Sequence, residues 1–264
     1  MTEPAWSEAG WEAVARELDA WAEGGRPATL WWRDDDAGAA TPALARLLAV
    51  AGETGLPLAL AVVPAWLTDD GAALVEAAPA GVAVLQHGYA HVDREAAGPP
   101  GGRPRRAECG PARPAAAVLD EVKTGRTRLA PLGSRLQPAF VPPWNRIAPA
   151  VIAGLPSLGF RTLSCYGPRP ADVAAPRLRQ VNTHVDPVRW RDGRRFLGAE
   201  ASLAQLRDHL AARRRGTADP GEPTGLLTHH PVLDPPGWAF LTRLLGRLRA
   251  HPAVSWPGLA GLLG

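Results

Sequence analysis

Short apolar runs alternate along this chain with longer stretches in which apolar residues recur at helical spacing. That alternation predicts an α/β protein in which parallel strands are joined by crossover helices. Strands are predicted at residues 29–33, 57–63, 82–86, 139–141, 161–164, 178–182, 225–228 and 253–256. A set of eight strands favours a closed or nearly closed barrel, a distorted TIM-like barrel of seven or eight strands, over an open sheet.

Helices are predicted between these strands at residues 115–129, 149–158, 202–214 and 237–249. A further helix is predicted to begin at the cap Thr41 with Pro42 in its first turn and to stop near Gly55. Residues 1–25 are predicted to form an N-terminal helix, capped by Ser7, that packs on the barrel. The Gly- and Pro-rich stretches at 93–114 and 217–223 are predicted as surface loops, so residues 1–264 are expected to form one domain.

The composition is typical of a soluble globular protein, with 46% hydrophobic and 21% charged residues over 264 positions. No apolar run approaches the ~20 residues that a membrane-spanning helix needs. The first 25 residues are acidic and lack the basic start and apolar centre of a secretion signal. A cytoplasmic location is therefore expected.

The charge distribution argues against a nucleic-acid partner. The net charge is only +3, and the basic clusters at residues 103–106 and 213–215 fall in a loop and at a helix end. Cys109 and Cys165 are too few for a disulfide framework and are not spaced as a metal knuckle. The sequence leaves the oligomeric state open.

Unusual polar residues follow the predicted strands almost immediately. Because the carboxyl ends of parallel barrel strands open on one face, residues far apart in sequence are expected to converge there on one cleft. These residues are Asp34, Asp35 and Asp36 after the first strand, His87 and His91 after the third, Pro142 to Asn145 after the fourth, Asn182, His184 and Asp186 after the sixth, and His229 and His230 after the seventh.

The convergence of carboxylates and imidazoles predicts a metal site. Three adjacent carboxylates repel one another, and a divalent cation is their natural compensation. His87 and His91 are four residues apart, a spacing that places two imidazoles on the same side of a helical turn, and Gly88 allows a sharp turn between them. One Asp and two His suit zinc or another first-row metal and leave positions open for water and substrate.

Each feature also has a purely structural explanation. An acidic run at a strand end is often a solvated turn, His229 and His230 could be a satisfied buried pair, and Trp144 could serve packing alone. The joint arrangement at several strand ends favours a functional site over these separate explanations.

Four of these segments resemble motifs of the polysaccharide deacetylases, the NodB-like group also called carbohydrate esterase family four. The resemblance extends from about Thr29 to Thr242 and so covers most of the chain. The segments are Arg33-Asp34-Asp35-Asp36-Ala37 for the Thr-Phe-Asp-Asp motif, His87-Gly88-Tyr89-Ala90-His91 for His-(Ser/Thr)-x-x-His, Val141-Pro142-Pro143-Trp144 for Arg-x-Pro-aromatic, and Leu226-Leu227-Thr228-His229 for the late His motif.

The resemblance implies a fold, a metal and a set of roles. Asp35 would be the general base, and His229 would be the general acid that protonates the leaving amine. Asp36, His87 and His91 would bind a divalent ion, with Zn²⁺ expected first. The triple Asp leaves the register open by one residue, although Ala37 and Gly38 favour the pair Asp35 and Asp36. Contacts to a substrate are expected from Asp34, which could instead pair with Arg33, and from Trp144, Asn145, Arg146, His184 and His230.

Departures from the family pattern predict a divergent branch. Val141 stands where the family has an Arg that orients the base, so Arg146 or another cation would have to replace it. Gly88 stands where the family has a hydroxyl residue. The segment from Asn182 to Trp190 is only loosely similar to the family's Asp-x-x-Asp-Trp motif. These departures suggest a substrate other than chitin or peptidoglycan, such as a glycan precursor.

The function predicted on these grounds is metal-dependent removal of an acetyl group from an N-acetylated sugar or a related glycan precursor. One alternative keeps the fold and metal but hydrolyses another carbon–nitrogen bond, in a small amide or a cyclic ureide. A second alternative is a catalytically silent sugar-binding relative. A third, an iron oxygenase with two His and one carboxylate, shares the ligand types but usually sits in an all-β fold, which the alternation of strands and helices argues against.

Overall fold

The structure is a computed structural model that describes residues 8–95, 106–191 and 193–264. The predicted helix cap Ser7, the basic residues Arg103 and Arg105 and much of the predicted loop at 93–114 lie outside the described residues. Each of the eight predicted strands is present. No helix in the described ranges is long and apolar enough to cross a lipid bilayer.

Strands and helices alternate through most of the described chain. The strands are β1 (Ala28–Ala37), β2 (Leu58–Val62), β3 (Val82–His87), β4 (Leu136–Val141), β5 (Thr162–Leu163), β6 (Val173–Ala175), β7 (Leu178–Gln180), β8 (Val188–Arg189), β9 (Arg195–Phe196), β10 (Thr224–Thr228) and β11 (Val254–Ser255). The α-helices are α1 (Glu8–Glu23), α2 (Pro42–Thr54), α3 (Asp69–Glu76), α4 (Ala115–Leu129), α5 (Pro149–Gly154), α6 (Ala199–Arg215), α7 (Pro235–Ala250) and α8 (Leu259–Leu263).

Local sequence explains several helix ends. Thr41 caps α2 by accepting a hydrogen bond from the backbone N–H of Leu44, Pro42 occupies the first turn, and Gly55 closes the helix in the left-handed conformation at φ 64°. Asp234 caps α7 in the same way from the backbone N–H of Gly237. The predicted helix at 149–158 is an α-helical segment followed by a 3₁₀ segment over Leu155–Leu158.

The main sheet is a run of parallel strands in the order β10-β1-β2-β3-β4-β5-β7, with β6 antiparallel on β7 and β11 pairing with the start of β1. The segment after β7 then hydrogen-bonds to β10. The N–H of His184 donates to the carbonyl of Gly225 at 2.7 Å, and the N–H of Leu227 donates to that of Val185 at 2.8 Å. These bonds link the two ends of the parallel run, which confirms the prediction of a nearly closed, distorted (β/α) barrel.

Side chains that alternate along the strands form two separate apolar layers. The inner cluster includes Trp31, Ala59, Ala61, Leu85 and Val141, and its many small residues suit the narrow interior. The outer clusters bury the opposite faces of the same strands against α1, α2, α4, α5, α6 and α7. α8 lies beneath β4 and β5, where the Thr162 hydroxyl donates to the Leu263 carbonyl at 3.0 Å.

The N-terminal helix packs against α6. The indole N–H of Trp21 donates to the Leu210 carbonyl at 3.3 Å, and the carboxylate of Glu17 pairs with Arg214 at 2.7 Å. Arg213 is buried and donates to the backbone and hydroxyl oxygens of Thr29. The arginines at 213 and 214 therefore serve helix packing.

One boundary differs from the sequence prediction in a way that shapes the site. β1 does not end at Arg33 but continues to Ala37, so the three Asp residues belong to the strand. Asp34 and Asp35 are buried, which excludes a solvated turn for these two. Pairing with β10 on one side and β2 on the other provides the ladder that keeps this polar segment extended.

Candidate active site

A cavity of about 840 Å³ opens where the parallel strands end. Its position at the carboxyl ends of the barrel strands is where α/β barrels assemble their binding sites, and its volume is in the range of pockets for small ligands. It is lined by Asp35, Asp36, Trp66, His87, His91, Arg106, Trp144, Asn145, Arg146, Tyr166, Asp186, Val188, Trp190, Arg191, Arg194, Gln205 and His229.

The backbone of β1 decides which of the three Asp residues face the cavity. Strand alternation directs Asp35 to the cavity and Asp34 to the opposite face. The pairing of β1 with β2 then shifts register between Asp34 and Ala37, and Asp36 adopts a left-handed conformation at φ 70°. A bulge of this kind re-aims the following side chain, so the adjacent Asp35 and Asp36 both line the cavity.

Asp36, His87 and His91 meet at one point. The Oδ1 atom of Asp36 lies 3.4 Å from Nε2 of His87 and 3.3 Å from Nε2 of His91. Tetrahedral ligands about 2.1 Å from a zinc ion would themselves be about 3.4 Å apart. The three groups therefore have the spacing of ligands that share one small cation, and all their ligand atoms fall within 4.8 Å of one another.

The hydrogen bonding of these groups fits a metal. Nδ1 of His87 lies 3.0 Å from the Val141 carbonyl, which can only accept, so the proton is on Nδ1 and the Nε2 lone pair faces the cavity. Among the described residues, Oδ1 of Asp36 is buried without a hydrogen-bond donor. A buried carboxylate oxygen with no donor, beside a free imidazole lone pair, is the pattern that a cation completes.

The three groups also perturb one another electrostatically. Burial raises the pKa of Asp36, but the nearby His87, with the charges of His229 and His91, outweighs it and holds this pKa well below its usual value. Burial lowers the pKa of His87, yet the charges of Asp35 and Asp36 raise it overall. Burial and the neighbouring His87 lower the pKa of His91. The surrounding imidazoles therefore stabilise the charged form of Asp36, the form that can bind a cation.

Asp35 is held by an arginine of its own strand. Nε of Arg33 lies 2.8 Å from Oδ1 of Asp35, and Nη2 donates to Oδ2 at 3.0 Å. The same guanidinium donates to Oγ of Ser164 at 2.6 Å and to Oδ1 of Asn145 at 2.8 Å. Arg33, which is fully buried, is therefore the cation beside Asp35 that the sequence lacks at Val141. Arg146, the other candidate, instead reaches the Arg106 carbonyl at 3.0 Å.

The loop that carries His91 is built around a buried carboxylate that the sequence analysis missed. Glu108 accepts hydrogen bonds from three consecutive backbone N–H groups, those of Tyr89 at 3.2 Å, Ala90 at 2.7 Å and His91 at 3.1 Å. Gly88 and His91 both have φ 54°, and a Cβ atom at Gly88 would overlap the Glu108 carboxylate. The glycine thus leaves the space that Glu108 occupies.

Two of the residues expected to contact substrate form a wall beside the candidate ligands. The ring of Trp144 lies 4.3 Å from that of His91, centroid to centroid, and lines the cavity. Trp144 and Asn145 both adopt left-handed backbone conformations at φ 55°. Five of the six non-glycine residues with positive φ in the described chain line this cavity, and such strain tends to collect at functional sites.

His229 directly follows β10, the strand that pairs with β1, and lies close to Asp35. Its Nε2 atom lies 3.9 Å from Oδ2 of Asp35, and its ring meets that of Trp190 edge-to-face at 4.5 Å. Asp35 therefore has the candidate ligand Asp36 next to it in the chain and a third imidazole, that of His229, near its Oδ2 atom. This arrangement places one carboxylate and one imidazole within reach of the same small cavity.

Three residues expected to contact substrate do not line the cavity. Asp34 is fully buried and accepts hydrogen bonds from the Thr228 hydroxyl at 2.6 Å and the His230 backbone at 3.0 Å, with the His230 ring at 2.5 Å. His184 is turned away from the cavity into a separate buried cluster. Asp34, His184 and His230 were expected to contact substrate, but they lie outside the cavity lining. Strand alternation or packing directs each of these side chains away from the cavity.

The separate cluster contains His184, His209 and Glu222, whose potential ligand atoms also lie within 4.8 Å of one another. It is poorly suited to a metal. Nδ1 of His184 accepts the Gly225 N–H at 3.0 Å, so in the neutral ring Nε2 carries the proton. The two imidazole rings stack at 3.5 Å with only 14° between their planes, so their in-plane lone pairs do not converge.

Several cavity residues escaped the sequence analysis. Trp66 ends the short 3₁₀ segment Pro64–Trp66 that follows β2, so the strand-end rule applied to the second strand would have found it. Asp186 does line the cavity, as its position after a predicted strand indicated, but it and Trp190 were given no role in the site. Tyr166 and the arginines Arg106, Arg191 and Arg194 follow short strands or lie in loops, which carry no periodic signal. Gln205 lies in the predicted helix α6, where helical spacing alone does not mark a residue that faces the cavity.

The fold and cavity define an α/β barrel protein with a polar site at the carboxyl ends of its strands. No protein-family model and no curated protein matches the chain. A Mycobacterium smegmatis protein assigned to the polysaccharide deacetylases is similar in structure, with a TM-score of 0.60 and 17% identity over 90% of this chain and 89% of that chain.

Two further structures agree with this assignment of the fold. A CE4 esterase of Streptococcus mutans has a TM-score of 0.53 at 14% identity, over 89% of this chain and 85% of that chain. A family 4 carbohydrate esterase of Streptomyces lividans, in complex with acetate, has a TM-score of 0.51 at 16% identity, over 84% of this chain and 87% of that chain. The chain therefore has the fold of the NodB-like polysaccharide deacetylases, which its motifs resemble.

Proposed function

We propose that this protein is a metal-dependent hydrolase that removes an acetyl group from an N-acetylated sugar or a related glycan precursor. The observation that carries the proposal is the convergence of Asp36, His87 and His91 at ligand spacing, with Asp35 and His229 beside them. The fold shared with deacetylases and esterases of carbohydrates supports it.

The residues present suit a divalent first-row metal, and Zn²⁺ is the first choice for a site of one carboxylate and two imidazoles. When bound there, such an ion supplies a Lewis acid for the amide carbonyl and for water. The protein's own part is to hold three ligands at fixed spacing and to leave the cavity side open for substrate.

The other two groups are assigned as proton carriers. Asp35 accepts the proton of the attacking water, because its carboxylate lies in the cavity and is oriented through both oxygens by Arg33. His229 donates a proton from Nε2 to the nitrogen as the carbon–nitrogen bond breaks. Trp144 supplies an apolar wall for the acetyl methyl or a sugar face, and Asn145 and Arg146 supply polar groups beside it.

The arrangement favours an enzyme over a silent sugar-binding relative. The absence of an Arg at position 141 weakened the catalytic prediction, but Arg33 occupies the position next to the base instead. The iron-oxygenase alternative loses its support because the barrel is built from parallel strands and crossover helices. Hydrolysis of a different carbon–nitrogen bond keeps the same residues, so product analysis must separate it from deacetylation.

The test combines metal analysis with product analysis. Purified wild-type protein is expected to contain about one equivalent of a divalent ion, and the Asp36→Ala and His91→Ala variants are expected to lose it. A His251→Ala variant serves as the control, because that histidine lies at the end of α7, outside the cavity. Acetate release from N-acetylglucosamine compounds, compared with ammonia release from ring amides, identifies the bond that is cleaved. A metal-free wild type, or undiminished metal in both cavity variants, refutes the proposal.

A further inference from the structure

The mouth of the cavity carries a concentration of positive charge, of which the proposed chemistry uses only Arg146. Four arginines line it: Arg106, Arg146, Arg191 and Arg194. All four are exposed. Two of them, Arg191 and Arg194, come from the chain between β8 and β9.

The carboxylates of the cavity do not neutralise these arginines. Asp35 is paired with Arg33, and Asp36 faces the two histidines. Asp186, the remaining carboxylate of the lining, accepts hydrogen bonds from the Trp190 indole at 2.7 Å and the Val188 N–H at 2.9 Å. Each acidic group of the cavity therefore already has a partner other than the four arginines.

Several arginines elsewhere in the described chain are held by a carboxylate. Arg113 contacts Glu121 at 2.7 Å, Arg169 contacts Asp219 at 2.6 Å, and similar pairs hold Arg214 and Arg247. Within the described ranges, no carboxylate lies at ion-pair distance from any of the four cavity arginines. Arg146 uses one nitrogen, Nη1, to donate to the Arg106 carbonyl. Its other N–H groups and the guanidinium groups of the other three arginines remain available to bind an anion through paired N–H donors.

Aromatic side chains provide the complementary surface for a sugar. Three of the five large hydrophobic residues that are exposed in the described chain line this cavity: Trp66, Tyr166 and Trp190, with 41%, 43% and 43% of their surface accessible. Exposed aromatic faces that surround a polar pocket are typical of a ligand site. Trp190 lies next to Arg191, so the aromatic surface and the cationic mouth are continuous.

We propose that the substrate is an anionic acylated sugar, in which a phosphate or carboxylate group contacts the arginines at the mouth while the acyl group reaches the candidate metal ligands. This inference rests on the proposed function for the acyl group, but not for the anion. Guanidinium groups recognise both phosphate and carboxylate, so the shared chemistry is a planar or tetrahedral oxyanion.

The experiment compares three ligands that share one ring: N-acetylglucosamine, its 1-phosphate and its C6 uronic acid. Binding to zinc-loaded protein is measured by calorimetry at low salt, and acetate release is measured in parallel. At least one anionic ligand is expected to bind ~10-fold or more tightly than the neutral sugar, since charge-assisted hydrogen bonds are about twice as strong as neutral ones. That preference is expected to fall as ionic strength rises, because the arginines are exposed. The tighter of the two anionic ligands identifies the anion.

The Arg191→Gln/Arg194→Gln double variant tests whether the arginines cause the preference. The ratio of anionic to neutral affinity is expected to fall severalfold in this variant. It is expected to be unchanged in Arg215→Gln, because Arg215 is an exposed arginine at the end of α6 that does not line the cavity.

The outcomes separate this inference from the proposed function. Equal affinity for neutral and anionic sugars overturns the inference, and so does a preference that survives in the double variant. Acetate release from any of the three ligands supports the proposed function whatever the affinities are. An arginine-dependent preference without acetate release from any ligand would support the anion site and contradict deacetylation.

Discussion

Replacement of Glu108 tests whether the metal site depends on a residue that is not itself a ligand. This buried carboxylate accepts the N–H groups of three consecutive residues, Tyr89, Ala90 and His91, and so fixes the loop that presents one candidate ligand. Two of the three bonds go to Oε2 and one goes to Oε1. In Glu108→Gln, the amide oxygen can therefore keep two acceptor contacts, whereas Glu108→Ala removes all of them.

The structure allows the size of the effect to be bounded. A buried N–H group left without an acceptor costs about 1–3 kcal/mol, so three such groups in Glu108→Ala would cost roughly 3–9 kcal/mol if the loop kept its shape. The loop is expected to rearrange instead, which moves His91 away from Asp36. Loss of a group that orients a metal ligand typically lowers metal affinity by ~10–100-fold. We expect Glu108→Ala near the upper end of that range and Glu108→Gln between Ala and wild type.

Zinc affinity is measured by competition with a chromophoric chelator, and Co²⁺ absorption reports the ligand geometry. The free energy of unfolding of the metal-free protein is measured separately. Glu222→Gln is the matched control, because Glu222 is also fully buried and accepts two backbone N–H groups, from Arg169 and Asn182, but lies in the cluster outside the cavity. It is expected to lower stability and leave zinc affinity unchanged.

Two results would refute the reasoning. If Glu108→Ala bound zinc as tightly as wild type, the three hydrogen bonds would not position His91. If Glu108→Ala and Glu222→Gln weakened zinc binding in proportion to their loss of stability, the role of Glu108 would be general folding rather than placement of a ligand.

Three further predictions concern stability. Arg33→Met leaves the Asp35 charge buried and unpaired, so urea unfolding should show a decrease of ~3–5 kcal/mol in the free energy of unfolding. Arg207→Met, which breaks an exposed pair, should lower it by less than ~1 kcal/mol. Equally small decreases in both variants would contradict the assigned pairing. Burial lowers the pKa of His209 to about 3 in the folded protein, so below pH ~6.5 the unfolded chain binds more protons than the folded one. The free energy of unfolding therefore decreases as the pH is lowered, by up to ~1.4 kcal/mol per pH unit. His209→Gln should make this decrease between pH 6.5 and 4.5 shallower, and an unchanged slope would count against a neutral buried ring. Gly88→Ser places a Cβ at positive φ against the Glu108 carboxylate, so calorimetry should show a lower melting temperature and chelator competition a weaker zinc site, and wild-type values for both would contradict the close packing.

Much of the barrel and the main features of the site could be predicted from local patterns. Apolar runs and helical spacing are local properties. They located each of the parallel strands, and they placed α4 at the bounds that the structure has. The strand-end rule brought Asp36, His87, His91 and His229 to one face, because the topology of a parallel barrel follows from the order of its elements. The period-2 alternation of a strand even contains the signal for Arg33 beside Asp35, two residues apart on one face.

Only the tertiary structure decided how neighbouring polar residues divide between inside and outside. The three Asp residues are equivalent in sequence, but a register shift and one left-handed residue turn Asp36 into the cavity, and Asp34 is paired with His230, 196 positions away. Glu108 lies in a loop without periodicity, and its role appears only when three backbone donors surround it. Contacts between residues distant in sequence depend on how the closed barrel packs, and the order of apolar and polar residues along the chain does not specify that packing.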